Sequence, residues 1–114
     1  MTDVHKKFDE KNQHAKFATG QIIHHKLFGY TGLIFDVDAI FQGSEEWYQQ
    51  VARSRPIKNQ PWYHVLVDEE SHITYVAEQN IEVSAISKEI VHPLVNELFA
   101  KFDGKQYSLR RQKI

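Results

Sequence analysis

Two segments limit what this chain can become: Gly20-Gln-Ile-Ile-His-His-Lys-Leu-Phe-Gly-Tyr-Thr-Gly-Leu-Ile-Phe-Asp-Val-Asp38 and Pro61-Trp-Tyr-His-Val-Leu-Val-Asp68. Each is a β-branched and aromatic run punctuated by glycine or proline and closed by an acid, the pattern of strands rather than helices. Gly29 supplies turn chemistry between Gly20–His25 and the next strand, which makes a hairpin. Gly32 inside that strand points to a bulge or a close backbone approach. Leu33-Ile34-Phe35 is apolar on both faces, as a central strand is, and the period of two puts Leu33, Phe35 and Val37 on one face. In the second segment Trp62, His64 and Leu66 face one way and Tyr63, Val65 and Val67 the other.

The remaining elements follow. Ser44 before Glu45-Glu46-Trp47 is a hydroxyl N-cap with acids in the first turn, predicting a helix to about Arg53 with Trp47 and Val51 toward the sheet. Asp68 to His72 reads as a hairpin loop, Ile73 to Ala77 as its partner strand and Ile81-Glu82-Val83 as a short fifth strand. Pro93 opens a last helix carrying Leu94, Val95, Leu98, Phe99 and Phe102 as its stripe, with Gly104 ending it. The expectation is a mainly β domain: a small five-stranded SH3-like barrel with two short peripheral helices. Residues 1–16 form a polar N-terminal arm, 17–103 the barrel domain and 104–114 a basic tail, read as solvated.

Composition narrows the function. With 114 residues the chain makes one domain, and without cysteine it has neither disulfides nor thiolate metal sites. The charged N-terminus is no secretory signal and no run is long enough to span a bilayer, so the expectation is a soluble cytoplasmic protein. Formal net charge is −1, against a phosphate-gripping surface, although Lys101, Lys105, Arg110, Arg111 and Lys113 crowd the tail.

No catalytic constellation is present. His24 and His25 are adjacent and point to opposite strand faces, and no His-x-His or HExxH pairing exists, so neither a metal nor a cofactor is expected. Asp36 and Asp38, two apart on one face, have the spacing of a cation pair, but a solvated rim is the preferred reading. Asp68, Ser71 and His72 lack a framed nucleophile, and no phosphate-binding glycine loop occurs. His92 reads as a capping or packing residue. Aromatics are the remaining signal, mostly core, with two or three left to stack or dock.

Several motifs together resemble one family. They are Phe17-x-x-Gly20-Gln-x-Ile-x-His-x-Leu-Phe-Gly29-Tyr-x-Gly32, Asp36-x-Asp38, Trp47-Tyr48, Pro61-Trp-Tyr-His-Val-Leu-Val67, Tyr75-Val-Ala-Glu-x-Asn80 and His92-Pro93. The chain resembles the HspQ or YccV-like family of heat-shock proteins, also described as hemimethylated-DNA-binding, over roughly residues 17–102. The resemblance implies an SH3-like barrel that self-associates, as a trimer, in the bacterial cytosol. It implies two roles. One is promoting the turnover of unstable or denatured proteins, including the replication initiator, through the Lon-type ATP-dependent protease. The other is binding double-stranded hemimethylated DNA. It carries no catalytic residues. The polar arm and the Tyr-Ser-Leu-Arg-Arg-Gln-Lys tail depart from the pattern. The first expectation is a non-enzymatic adaptor presenting Trp62, Tyr63, Tyr75, Glu78 and Asn80 to a protease or its clients. The alternative is DNA contact through His24, His25, Lys26, Arg110 and Arg111.

Overall fold

The computed structural model describes residues 15–52 and 54–110. Most of the polar arm, Arg53 and Arg111 therefore lie outside the described residues. The chain runs β1 (Ile22–His25), β2 (Thr31–Asp38), α1 (Glu45–Val51), β3 (Trp62–Val67), β4 (Ile73–Ala77), a 3-10 turn (Glu78–Asn80), β5 (Ile81–Val83), α2 (Val95–Leu98), β6 (Phe99–Phe102) and β7 (Tyr107–Leu109). Strands β1 to β5 form one antiparallel sheet in the order β4-β3-β2-β1-β5, and β6 and β7 form a separate hairpin. The fold is mainly β, as expected, but the sheet's hydrogen bonds do not close on themselves. Strands β4 and β5, joined only by the 3-10 turn, are its two edges.

Burial on both faces organises the sheet. Ile22, Leu33 and Leu66 pack on one face with Ile90, Phe99 and Tyr107. Ile23, Ile34, Tyr63, Val65, Val76 and Ile81 pack on the other, with Phe17, Tyr30 and Val37 against them. This is why β2 and β3 read as continuous apolar runs: each central strand has a core above and below. A bulge interrupts β2. Ile34 opposes Val65 but Asp36 opposes His64, so Phe35 is an extra residue. The extra residue resets the alternation. Phe35 joins the Leu33 face, while Val37 goes to the Ile34 face instead of sharing one face with Leu33. Gly32 meets the other expectation: a Cβ there would lie 2.4 Å from Val65 Cγ1.

The C-terminal third differs most from expectation. The predicted helix from Pro93 is one turn, Val95–Leu98, and the residues meant to continue its stripe form β6. Phe99 pairs with Leu109 and Phe102 with Tyr107 across the hairpin. Asp103 closes the turn between the two strands: its Oδ1 accepts the N–H groups of Lys105 and Gln106 at 2.8 and 2.9 Å, an Asx turn. The segment read as a solvated tail is therefore structural up to Arg110. Tyr107 is buried, and its hydroxyl accepts from the Ile90 N–H at 2.8 Å. The count among the described residues is seven strands, not five.

The hairpin meets the sheet at Gly20. Gly20 N–H donates to Ile34 O, and Tyr107 N–H donates to Gly20 O, each at 2.8 Å. Gly20 has φ +96°, and a Cβ there would sit 2.1 Å from Tyr107 O. Gly104 has a similar φ of +99° but open space around it. Gly20→Ala is expected to destabilise by about 2–4 kcal/mol in urea unfolding, from strain plus a backbone clash. Gly104→Ala bears the φ cost alone, about 1–2 kcal/mol. Equal losses would show that the Gly20–Tyr107 contact does not hold the hairpin on.

Candidate functional site: an apolar groove along a sheet edge

The groove is built around β4. Helix α1 begins at Ser44, whose Oγ accepts from the Trp47 N–H at 3.0 Å, and it ends at Val51. The helix is pinned over one end of the sheet. Lys58 pairs with Glu45 and lies 4.4 Å from the Tyr48 ring centroid, and the Tyr48 hydroxyl donates to Pro56 O at 2.8 Å. Trp47 packs edge-on against Trp62 and Tyr75, with Phe41 among them. Trp47 thus faces the sheet as expected. Val51 does not: it is 53% exposed at the rim of the groove. Opposite, the turn after β1 carries Leu27 and Phe28, 59% and 71% exposed, and Ile73 at the start of β4 is 50% exposed.

Between these walls lies a cavity of about 560 Å³, within the range of ligand sites. Every residue of β4, from Ile73 to Ala77, lines it. Trp47, Val51 and Pro56 form one wall, and His25, Leu27 and Phe28 the other. Among the described residues no Lys or Arg lines it. A second cavity, about 320 Å³, continues past Trp47, His64 and Tyr75 to Asp38, Gln42 and Ser44.

The residues expected to meet a protein partner fall into different environments. Trp62 and Tyr63, expected on the surface, are buried at 1% and 0% exposure, because β3 is the strand covered on both sides. Tyr63 is structural: its hydroxyl donates to Glu78 Oε2 at 2.7 Å and accepts from the Phe17 N–H at 3.2 Å. Glu78 Oε2 also accepts from the Lys16 N–H at 2.8 Å, so it serves the chain's entry into the fold. Burial, then the Glu78 hydrogen bond, holds the Tyr63 hydroxyl far above its ordinary pKa. Trp62 still floors the groove, and its buried Nε1–H has no acceptor among the described residues, a cost of about 1–3 kcal/mol. Tyr75 and Asn80 line the cavity.

The DNA-contact candidates do not converge. His24 is half-buried and pairs with Glu82 at 2.9 Å. His25 is buried against the sheet. Lys26 lies by a depression shared with Glu78 and Glu82. Arg110 is on the C-terminal hairpin, where its guanidinium donates to the Asn96 and Phe99 carbonyls at 2.6 and 3.2 Å. Residues 15–110 hold nine Lys and Arg against twelve Asp and Glu.

Asp36 and Asp38 acquire a partner that adjacency in sequence does not reveal. With His64 they place three ligand atoms within 4.8 Å of one another. Asp38 Oδ2 accepts from the Tyr75 hydroxyl at 2.6 Å and meets His64 Nε2 at 3.0 Å, while Asp36 Oδ1 accepts from the Val37 N–H. Burial and then the Asp38 hydrogen bond push the Tyr75 hydroxyl far above its usual range, keeping it a donor. His92, expected to cap or to pack, is buried: its Nδ1 accepts from the Leu94 N–H and its Nε2 contacts His72 O, while the N-cap of α2, Leu94, has no side-chain cap.

The family model described as "Hemimethylated DNA-binding protein YccV like" matches residues 15–106, the stretch that builds the five-stranded sheet and runs through β6, stopping just before β7. The chain belongs to this YccV-like family. Over 107 residues it is 34% identical to F-box only protein 21 of Homo sapiens and of Pongo abelii, and 32% identical to that of Mus musculus. Those alignments cover 92% of this chain but 17% of the relatives, so the YccV-like domain here spans about a sixth of their length.

In this YccV-like domain the groove wall depends on one histidine. His25 Nδ1 accepts the N–H groups of Leu27 and Phe28, both at 3.1 Å, so it must be unprotonated there. The ring stacks on Phe28, with centroids 4.6 Å apart. Burial, then the neighbouring His24, lowers its pKa below 6.5. The unfolded chain binds a proton near pH 6.5 that the folded wall refuses. The contribution to stability is therefore complete above that pH and shrinks as pH falls through the window below it. His25→Asn keeps an acceptor without a titration. Between pH 7 and pH 5 its stability is expected to fall less steeply than wild type in urea unfolding. Equal slopes would clear His25 of this role.

Proposed function

We propose that this chain is a non-enzymatic docking module that promotes degradation of unstable or denatured proteins, including the replication initiator, as a cytoplasmic partner of a Lon-type ATP-dependent protease. The five-stranded unit is then a small SH3-like barrel, open between β4 and β5. The observation that carries the reading is the groove. Leu27, Phe28, Val51 and Ile73 leave apolar surface at the mouth of a cavity lined by aromatic residues and, among the described residues, by no cation. Contiguous apolar surface of this kind serves protein contacts, and docking needs no matched acid, base and nucleophile. The family's description names hemimethylated DNA, and the relatives' name, F-box only protein 21, names no ligand. The acidic surplus of residues 15–110 favours the protein partner.

A second reading, recognition of double-stranded hemimethylated DNA, rests on the family's description and on Lys26 and His24 near β1.

Adding the purified chain to a Lon-type protease is expected to accelerate degradation of an unstable substrate. Phe28→Asp combined with Val51→Asp, both at exposed positions, should remove the gain. An unchanged rate over a concentration series counts against the docking role. In fluorescence titrations with methylated, hemimethylated and unmethylated duplexes at two salt concentrations, binding should be weak and fall as salt rises. A hemimethylated preference that survives both substitutions would establish the second reading instead.

A further inference from the structure

Strand β4 is an edge strand lying along the length of the groove, and its free side faces outward. The hydrogen bonds from Glu78 N–H to Pro61 O and from Val67 N–H to His72 O fix the phase of the β3–β4 ladder. Hydrogen-bonded pairs alternate in an antiparallel ladder. Thr74 and Val76 therefore bond inward to β3, and the N–H and C=O groups of Ile73, Tyr75 and Ala77 point away from it. Among the described residues nothing pairs with those groups. Unpaired edges of this length are templates for another chain unless they are blunted, and here apolar walls flank the edge instead.

Charge selects the occupant. Past Tyr75 and Trp47 the groove leads to Asp38, with Asp36 beside it. Neither carboxylate has a Lys or Arg partner among the described residues. A cation entering there meets two carboxylates and the faces of Trp47 and Tyr75, which attract cations.

We propose that β4 takes up an extended segment of another polypeptide as a sixth strand. That segment carries a bulky apolar side chain for the larger cavity and a Lys or Arg two residues away, on the same face, for Asp38 and Asp36. Backbone pairing gives affinity and alternate side chains give specificity, the logic of strand addition. This inference rests on the docking reading and specifies its ligand.

The test uses the full chain and fluorescein-labelled peptides with the core Val-Arg-Val-Phe-Val between Ser-Gly flanks. Two variants of the core replace Arg by Glu or the central Val by Pro. The Arg peptide is expected to bind about tenfold tighter than the Glu peptide, and Asp36→Asn with Asp38→Asn should erase that preference. The Pro peptide, lacking an N–H, should bind more weakly. Amide hydrogen exchange should slow at Ile73, Tyr75 and Ala77 when the Arg peptide binds. Binding without that protection, or without charge preference, overturns strand addition while leaving a docking groove. Absence of binding by every peptide overturns the docking reading itself. Protection of the three amides before peptide is added also overturns the proposal. It identifies a second copy if it grows with protein concentration, and the chain's own terminal segment if it does not.

Discussion

The structure depends on burying both faces of β2 and β3. Ile34, Tyr63 and Val65 face one cluster, and Leu33 and Leu66 the other. Each fully buried aliphatic or aromatic side chain is worth about 1.5–3 kcal/mol, so neither face can be left to water. One face is covered by the curl of the sheet itself, which brings Ile81 of β5 and Val76 of β4 onto the same cluster. The other needs an outside cover, which the β6–β7 hairpin supplies through Phe99 and Tyr107. The hairpin can approach only because Gly20 has no Cβ to meet the Tyr107 carbonyl. The same demand places the free edge. With β3 enclosed and β1 held between β2 and β5, β4 is left with one side open.

The strands are legible in the sequence because their chemistry is local. Glycine, β-branched runs and terminal acids mark β1 to β5 within a residue or two of their observed bounds. The C-terminal third misleads because its spacing satisfies two structures. Leu94, Leu98 and Phe102 have helical spacing, but Phe99 and Phe102 flanking a turn from Tyr107 serve a hairpin equally well. The deciding signal is present in Asp103-Gly104, a turn pair between apolar residues. The bulge at Phe35 leaves no such signal: only the register against β3 reveals it.

The site is half legible, for a related reason. Trp62 and Tyr63 stand out in composition, and their prominence reflects the core they fill. Tyr75 and Asn80 do line the groove. The residues that open it, Leu27, Phe28, Val51 and Ile73, come from three separated segments whose sequences look like ordinary loop and helix ends. Their exposure is a property of how α1 and the β1–β2 turn are held apart. In the sequence Asp38 pairs with Asp36, whereas its working partners are His64 and Tyr75, brought to it by β3 and β4.

Electrostatics decides how the two proposed roles weigh on this surface. A duplex presents closely spaced phosphates and is held by several cations at once, each releasing counterions. Here the described cations are dispersed, and several are engaged: Lys58 with Glu45, Lys88 with Asp68 and Glu69, Arg110 with backbone carbonyls. The groove reverses that balance, with carboxylates at one end and, among the described residues, no Lys or Arg along its walls. A phosphate backbone laid there would meet repulsion at Asp38 and apolar side chains at Phe28 and Val51, whereas a polypeptide strand would meet open backbone groups on β4. Whatever a duplex contacts on this domain, it is the surface away from β4 that must supply the cations, so nucleic acid and a protein segment need not compete for one face.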